Sequence, residues 1–299
     1  MSTANWQIDT SDPIALEAWA KPPEARTFAD VQAILGGVSL ARIMAYPAPG
    51  FATASDRERA HREGIACELR DGFLIAHEPL TGAGREKHLL TLADYQAQLF
   101  DIPAERLIAF PAPGTAEIAD CEDTKDSVGV TCELYDGVRV AKTMGYLEGR
   151  LAIAICIMIE KYQELDPIGI TNGPDGTIRL PWDKVRAPDA SFVEFARLPE
   201  GGLTDESIPP IIPNLVVEIL SKSNRRGEMQ RKLEDYFNAG VQLAWYIDPK
   251  KKTATIYTAI DEYQEIGPDG VLSGGSILPG FEVKLADVFA KASWKRESK

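Results

Sequence analysis

No stretch of the 299 residues is apolar for long enough to cross a bilayer. The longest uninterrupted run, Leu151 to Ile159, falls far short of the roughly 20 residues a spanning helix needs. The polar N-terminal stretch has no signal-peptide pattern, so the expected location is the cytoplasm, with no membrane partner. Cysteine is scarce, and Cys67, Cys121, Cys132 and Cys156 form no C-x-x-C pair, which suits reduced structural thiols better than a zinc site or a disulfide frame. Histidine is scarcer still: His61, His77 and His88 lie near Cys67 in the chain, but at no zinc-motif spacing. The absence of a P-loop, a G-x-S-x-G elbow and a dinucleotide fingerprint leaves kinase, α/β-hydrolase and dehydrogenase readings without support. Positive charge is also short. The formal net charge is −13, and both the first 105 residues and the remainder are acidic, which opposes a salt-driven grip on nucleic acid by the surface as a whole. A local patch can still act, because fields persist over a Debye length of roughly 10 Å. Lys222, Arg225, Arg226, Arg231 and Lys232 cluster in sequence, although for most of the five the plainer reading is solvation of a loop and a helix face.

What remains is an ordinary globular composition, 44% hydrophobic and 26% charged, sufficient for one large domain or two smaller ones. A near-repeat organises the first half. Ala45-Tyr46-Pro47-Ala48-Pro49-Gly50 returns as Ala109-Phe110-Pro111-Ala112-Pro113-Gly114, and Cys67-Glu68-Leu69-Arg70-Asp71-Gly72 returns as Cys132-Glu133-Leu134-Tyr135-Asp136-Gly137. In each copy an Asp-Gly turn between strand-like runs, such as Val130 to Leu134 and Val138 to Ala141, predicts a β-hairpin. A helix-length segment follows each, Lys87 to Leu99 and Leu147 to Leu165. Gly84-Arg85 then aligns with Gly149-Arg150 and sets Ala83 opposite Glu148, so the first copy lacks that acid. Residues 1–104 therefore read as an accessory region and 105–299 as the main domain.

Within the main domain, Glu148 to Lys161 is apolar on most sides, which predicts a helix packed inside the fold. Strands are expected at Ile168 to Thr171, Thr177 to Leu180, Ala190 to Val193, Leu215 to Leu220, Leu243 to Ile247 and Thr253 to Tyr257, and a long polar connection at Leu198 to Pro213. Glu228 to Asn238 reads as an amphipathic helix, because Met229, Leu233, Tyr236 and Phe237 share a face and Gly240 stands past its end. The result is an α/β (α+β) domain with a central mixed sheet.

Three residues carry the chemistry. Leu215 to Leu220 is an apolar run interrupted only by Glu218, and an ionised carboxylate buried there costs several kcal/mol unless something positive faces it. Either an ion pair or a hard metal ion would serve. Asp189 follows a proline and opens an apolar strand; alone it is more often a turn residue, but beside Glu218 it could share a cation. On the helix wheel Lys232 lies at the edge of the buried stripe, while Arg231 and Asp235 point to solvent. It either snorkels or reaches into a site.

With Val185 to Val193, Leu215 to Ser221, Lys232 to Val241, Trp245 to Pro249, Leu278 to Phe281 and the Cys132 to Gly137 motif in order, the chain resembles the restriction endonucleases of the Uma type, in the PD-(D/E)xK nuclease superfamily. The resemblance runs from about Glu105 to the C-terminus and implies a restriction-endonuclease-like core. It also implies that Asp189 and Glu218 are metal ligands, joined by the Ile219 carbonyl, with Glu148 as an acid on the first core helix. The superfamily's usual lysine, two residues after the strand glutamate, is Leu220 here. The resemblance moves it to Lys232. Lys222 is the competitor, although Ser221 to Asn224 looks like a loop and helix cap. The implied activity is hydrolysis of phosphodiesters with Mg2+, or Mn2+ in its place. The implied partner is nucleic acid, DNA ahead of RNA, with a homodimer left open. The rival readings are a nuclease-fold scaffold without cleavage activity, serving as a binding module, and a phosphate-ester enzyme acting on a small substrate.

Overall fold

The computed structural model of the chain describes residues 27–80, 85–122 and 131–293. Ala83, Gly84 and Val130, used in the alignment and hairpin readings above, lie outside them. Helix α1 (Phe28–Ile34) and helix α2 (Ala54–Arg62) precede the hairpin β1 (Cys67–Arg70) and β2 (Phe73–Ala76). Helix α3 (Leu92–Gln98) and the short α4 (Ile118–Glu122) then precede the hairpin β3 (Cys132–Tyr135) and β4 (Val138–Ala141).

The repeat is longer than its two motifs and begins with a helix. Thr27 and Asp30 form a capping box at the start of α1, and Thr91 and Asp94 form its counterpart on α3. That cap is why the segment from Lys87 to Leu99, expected as one helix, divides into a 3-10 turn at Lys87–Leu89 and then α3. Both copies have a cis proline, Pro47 and Pro111, and in both hairpins the Asp-Gly pair takes positive φ, at Asp71 and Gly72 and at Asp136 and Gly137. These are the values a two-residue hairpin turn requires. Gly72 and Gly137 are obligatory for a second reason: a Cβ on either would collide with the backbone of Gly50 or Gly114.

The two copies are paired crosswise. Thr27, at the head of the first, bridges to Ile108 in the second, and Phe28 N–H donates to the Leu107 carbonyl at 2.9 Å. Thr91, at the head of the second, bridges back to Met44 in the first, and Leu92 N–H donates to the Ile43 carbonyl at 2.9 Å. Their apolar residues close one core containing Phe28, Val31, Ile43, Ile75, Leu92, Tyr95, Leu107, Tyr135 and Val140. That core continues past residue 104 into β3 and β4.

Helix α5 (Tyr146–Tyr162) leads to β5 (Gly169–Asn172), β6 (Ile178–Leu180), β7 (Lys184–Arg186) and β8 (Ala190–Glu194). The long connection carries no strand or α-helix before β9 (Leu215–Ile219). Helix α6 (Arg226–Ala239) ends at Gly240, which is left-handed at φ 104° as a C-terminal glycine should be. Strands β10 (Leu243–Asp248), β11 (Thr253–Tyr257), β12 (Tyr263–Ile266), β13 (Val271–Ser273) and β14 (Glu282–Lys284) and helix α7 (Leu285–Ala292) complete the chain.

Six strands form the central mixed sheet in the order β12-β11-β10-β9-β8-β5, with β9 and β10 parallel and the other neighbours antiparallel. Alternation sends Leu215, Val217, Ile219, Trp245, Ile247 and Ile256 to the face covered by α5 and α7. Val216, Ala244 and Tyr246 take the other face, under Met229, Leu233 and Tyr236 of α6. A smaller sheet, β4-β3-β7-β6, brings the second hairpin alongside. The expected mixed sheet flanked by helices is thus present.

Two readings of helix faces are corrected. Helix α5 is not enclosed: it buries Leu151, Ala152, Ile155 and Ile159, but Ile153 and Ile157 on its outer side are each 45% exposed. Packing against one sheet buries only one stripe of a helix, however apolar the remainder. Asp235, read as solvent-facing, is buried and ion-paired to both Arg186 and Lys184, which reach it from β7. A helix wheel cannot register a cation arriving from another strand.

Arg106 joins the duplicated half to α6. Its guanidinium donates twice to buried Glu228, at 2.8 and 3.1 Å, and also to the Ala141 and Ser223 carbonyls. Arg225 N–H donates to the same carboxylate, so Arg225 caps α6 and the expected cap at Ser221 to Asn224 is instead a turn held by Asn224 Oδ1. Arg106→Met should destabilise the protein by about 3 kcal/mol, because it leaves a buried carboxylate with little compensation. Urea unfolding followed by tryptophan fluorescence would measure it, and a loss below about 1 kcal/mol would show that the pair is nearly neutral.

Candidate active site

The register of β8 on β9 sets Ala190 opposite Val217, which places Asp189, the residue before β8, beside Glu218. Both carboxylates are almost wholly buried. Asp189 is fixed from two sides: its Oδ2 accepts the Ile219 N–H at 2.6 Å, and its Oδ1 lies 3.0 Å from Lys142 Nζ. Glu218 Oε1 receives Lys232 Nζ at 2.7 Å and the Tyr236 hydroxyl at 2.6 Å, both from α6. Lys232 is buried on the inner face of α6 and also lies 3.0 Å from Glu133 on β3. Of the two candidate lysines it is therefore Lys232 that meets Glu218. β9 ends at Ile219, so Lys222 lies beyond the strand and is exposed.

Glu148, Asp189, Glu218, Ile219 and Lys232 line one cavity of about 20 Å³ together with Arg106, Glu133 and Lys142. That is room for one water or one small cation. Glu148 is half-buried, and it lines both this cavity and the larger cleft outside it. Among the described residues no three His, Cys, Asp or Glu side chains gather closely enough to hold a metal ion, so Glu148 does not complete a three-carboxylate cluster.

Sequence reasoning missed Lys142 and Glu133. Lys142 Nζ, just past β4, donates to the carbonyls of Pro174, Ala187 and Pro188 at 2.8 to 3.0 Å besides meeting Asp189. Glu133 accepts the Ala187 N–H at 3.0 Å and the Tyr135 hydroxyl at 3.0 Å. Arg186 backs this network, with its guanidinium 3.7 Å from the centre of the Tyr135 ring and paired to Asp235.

The two glutamates titrate apart. Burial lifts Glu133, but Lys232 and Arg186 overcome it and hold the carboxyl far down, at about 2. For Glu218 burial prevails: Lys232 opposes it, Asp189 and Glu133 add to it, and the carboxyl is pushed up to about 7. Lys232 is desolvated too, yet Glu133 and Glu218 keep it charged well above the usual lysine range. An unfolded glutamate titrates near 4.5, so between there and about 7 the folded chain retains a proton that the unfolded chain has released. Stability from this group is therefore lost as pH rises through that window, by a few kcal/mol. In cation-free buffer the thermal midpoint should fall between about pH 5 and pH 8, and Glu218→Gln should flatten the fall. An equally steep fall in the variant would trace the slope to another group.

Against protein-family models, residues 118–286 match the family Uma2, described as "Putative restriction endonuclease". The chain belongs to this family. The Uma2 match takes in β3 to β14, hence Asp189, Glu218 and Lys232, and excludes the first copy of the repeat. No curated protein matches the chain. A solved structure from Anabaena variabilis ATCC 29413, described as a putative nuclease belonging to DUF820, is similar at 21% identity, with 55% of this chain and 93% of that one covered and a TM-score of 0.49.

Proposed function

We propose that this Uma2 chain is a metal-dependent endonuclease that hydrolyses phosphodiester bonds of nucleic acid, DNA in preference to RNA, at the cavity between Asp189 and Glu218. One observation carries the reading: two buried carboxylates from adjacent strands share a cavity the size of one ion with a buried lysine. The donor set suits magnesium, or manganese, because the ligands on offer are carboxylate and main-chain oxygens, which hard cations prefer. Asp189 and Glu218 would hold the ion with the Ile219 carbonyl. When bound it would lower the pKa of a water and share the charge that builds on the phosphate. Asp189 is oriented for this by the Ile219 N–H and Lys142. Lys232, held between Glu133 and Glu218, offers a fixed positive charge at the cavity, where a preorganised cation is worth more than in water. Glu148, between the cavity and the outer cleft, would hold a water or a second cation.

A second reading, a nuclease-fold scaffold without cleavage, has its own support. Lys142 and Lys232 already neutralise both carboxylates, as in a structural network, and the net charge is −13. Incubating the purified protein with plasmid and with single-stranded DNA, in magnesium, manganese or EDTA, separates the two. Cleavage dependent on the metal supports the enzyme; intact DNA under all conditions supports the scaffold.

A further inference from the structure

The face of the central sheet that carries Glu218 is only partly covered. Helix α6 packs over Val216, Ala244 and Tyr246 but stops short of the β11-β12 edge. Beyond it, Tyr257 on β11 stands directly opposite Tyr263 on β12, their rings 5.5 Å apart, and Tyr257 meets Tyr246 on β10 at 5.3 Å. Three tyrosines thus descend as a staircase from a buried step to one that is 61% exposed. They floor a cleft of about 960 Å³. Its walls carry Lys222, Arg225, Arg226, Lys250 and Lys251, against three carboxylates, Glu148, Asp248 and Glu265. Of these Asp248 is engaged by the Lys250 and Lys251 N–H groups. Among the described residues Lys222, Arg226 and Lys250 are paired with no carboxylate. On a chain of net charge −13 this is a local reversal of sign. The cleft also opens onto the carboxylate cavity, with which it shares Glu148, Ser221 and Asn224.

We infer that this cleft is the substrate channel and that it takes a single strand, with an unpaired base stacked on Tyr263 and its phosphates running past Lys222, Arg226 and Lys250 toward Asp189 and Glu218. The inference rests on the nuclease reading and narrows its substrate to single-stranded or locally unpaired nucleic acid. Stacking on an aromatic ring needs the exposed face of a base, which a duplex hides within its own stack. Unpaired cations alone would accept either form, so the tyrosines decide between them.

Binding measured in EDTA keeps this question apart from catalysis. Fluorescence anisotropy with a labelled single-stranded oligonucleotide and with the same sequence as a duplex would be read for the unmodified protein, Tyr263→Ala, Tyr263→Phe, and the triple variant of Lys222, Arg226 and Lys250 to alanine. The single strand should bind more tightly than the duplex. Tyr263→Ala should weaken it about tenfold, the scale of one base-aromatic stack, and Tyr263→Phe should restore it. The triple variant should lower the log-log salt slope by about 2, at roughly 0.7 per phosphate released. Tyr263 is exposed, so its loss does not threaten the fold. Duplex preference, no binding, or equal affinity in Tyr263→Ala would each overturn the channel. Tyr263-dependent binding without any metal-dependent cleavage would keep the channel and refute the nuclease, while cleavage indifferent to Tyr263 would do the reverse.

Discussion

Asp189→Ala and Glu218→Ala should each bring magnesium-dependent cleavage down to background and remove magnesium binding. Each deletes one of only two carboxylates on the cavity floor, and no third acidic side chain is gathered there to replace it. The two variants should differ in stability. Asp189→Ala removes the acceptor of the Ile219 N–H and a partner of Lys142, although three carbonyls still hold that ammonium. Glu218→Ala removes a carboxylate whose ionised form is already disfavoured by burial, so without metal above about pH 7 its cost should be smaller. Isothermal titration with magnesium, beside a cleavage assay, would decide the matter. Unchanged affinity in both variants would make the carboxylate pair structural.

Lys232→Met should have two separable effects. The ammonium is shared by Glu133 and Glu218, both buried, so its loss should cost about 3 to 5 kcal/mol of stability, the usual penalty for stripping the partner from a buried charge. It should also slow cleavage by about 100-fold, as when one preorganised charge is taken from a transition state. Adding Glu133→Gln removes the carboxylate most dependent on Lys232 and should recover much of the stability while turnover stays low. If turnover returned along with the thermal midpoint, Lys232 would be a positioning residue for the fold alone.

The strands and helices of the main domain were legible because their apolar periods are strong: Thr253–Tyr257 and Val138–Ala141 fall where alternation puts them. Glu218 announced itself as the one charge in an apolar strand, and the helix wheel put Lys232 at the edge of its stripe. Lys142 gave no signal, since three of its four partners are main-chain carbonyls distant in sequence and carbonyls have no residue type. Glu133 was hidden by the repeat: the same Cys-Glu-Leu motif in the first copy carries Glu68, which merely pairs with Arg70 on the surface. Identical local sequence gives one glutamate a solvated cation and the other a buried lysine, and only the tertiary partner separates them.

The crossed pairing of the two copies has a consequence for how the molecule tolerates dilution. Two separate chains joined by such a reciprocal contact would come apart as their concentration fell. Here both halves of the contact lie on one polypeptide, within about a dozen residues of each other between Ala76 and Thr91, so each sees the other at an effective concentration on the order of millimolar or more. The bridges of Thr27 to Ile108 and of Thr91 to Met44 should therefore persist at any protein concentration. The hairpin that presents Glu133 to Lys232 is held in place by a partner the chain always carries with it.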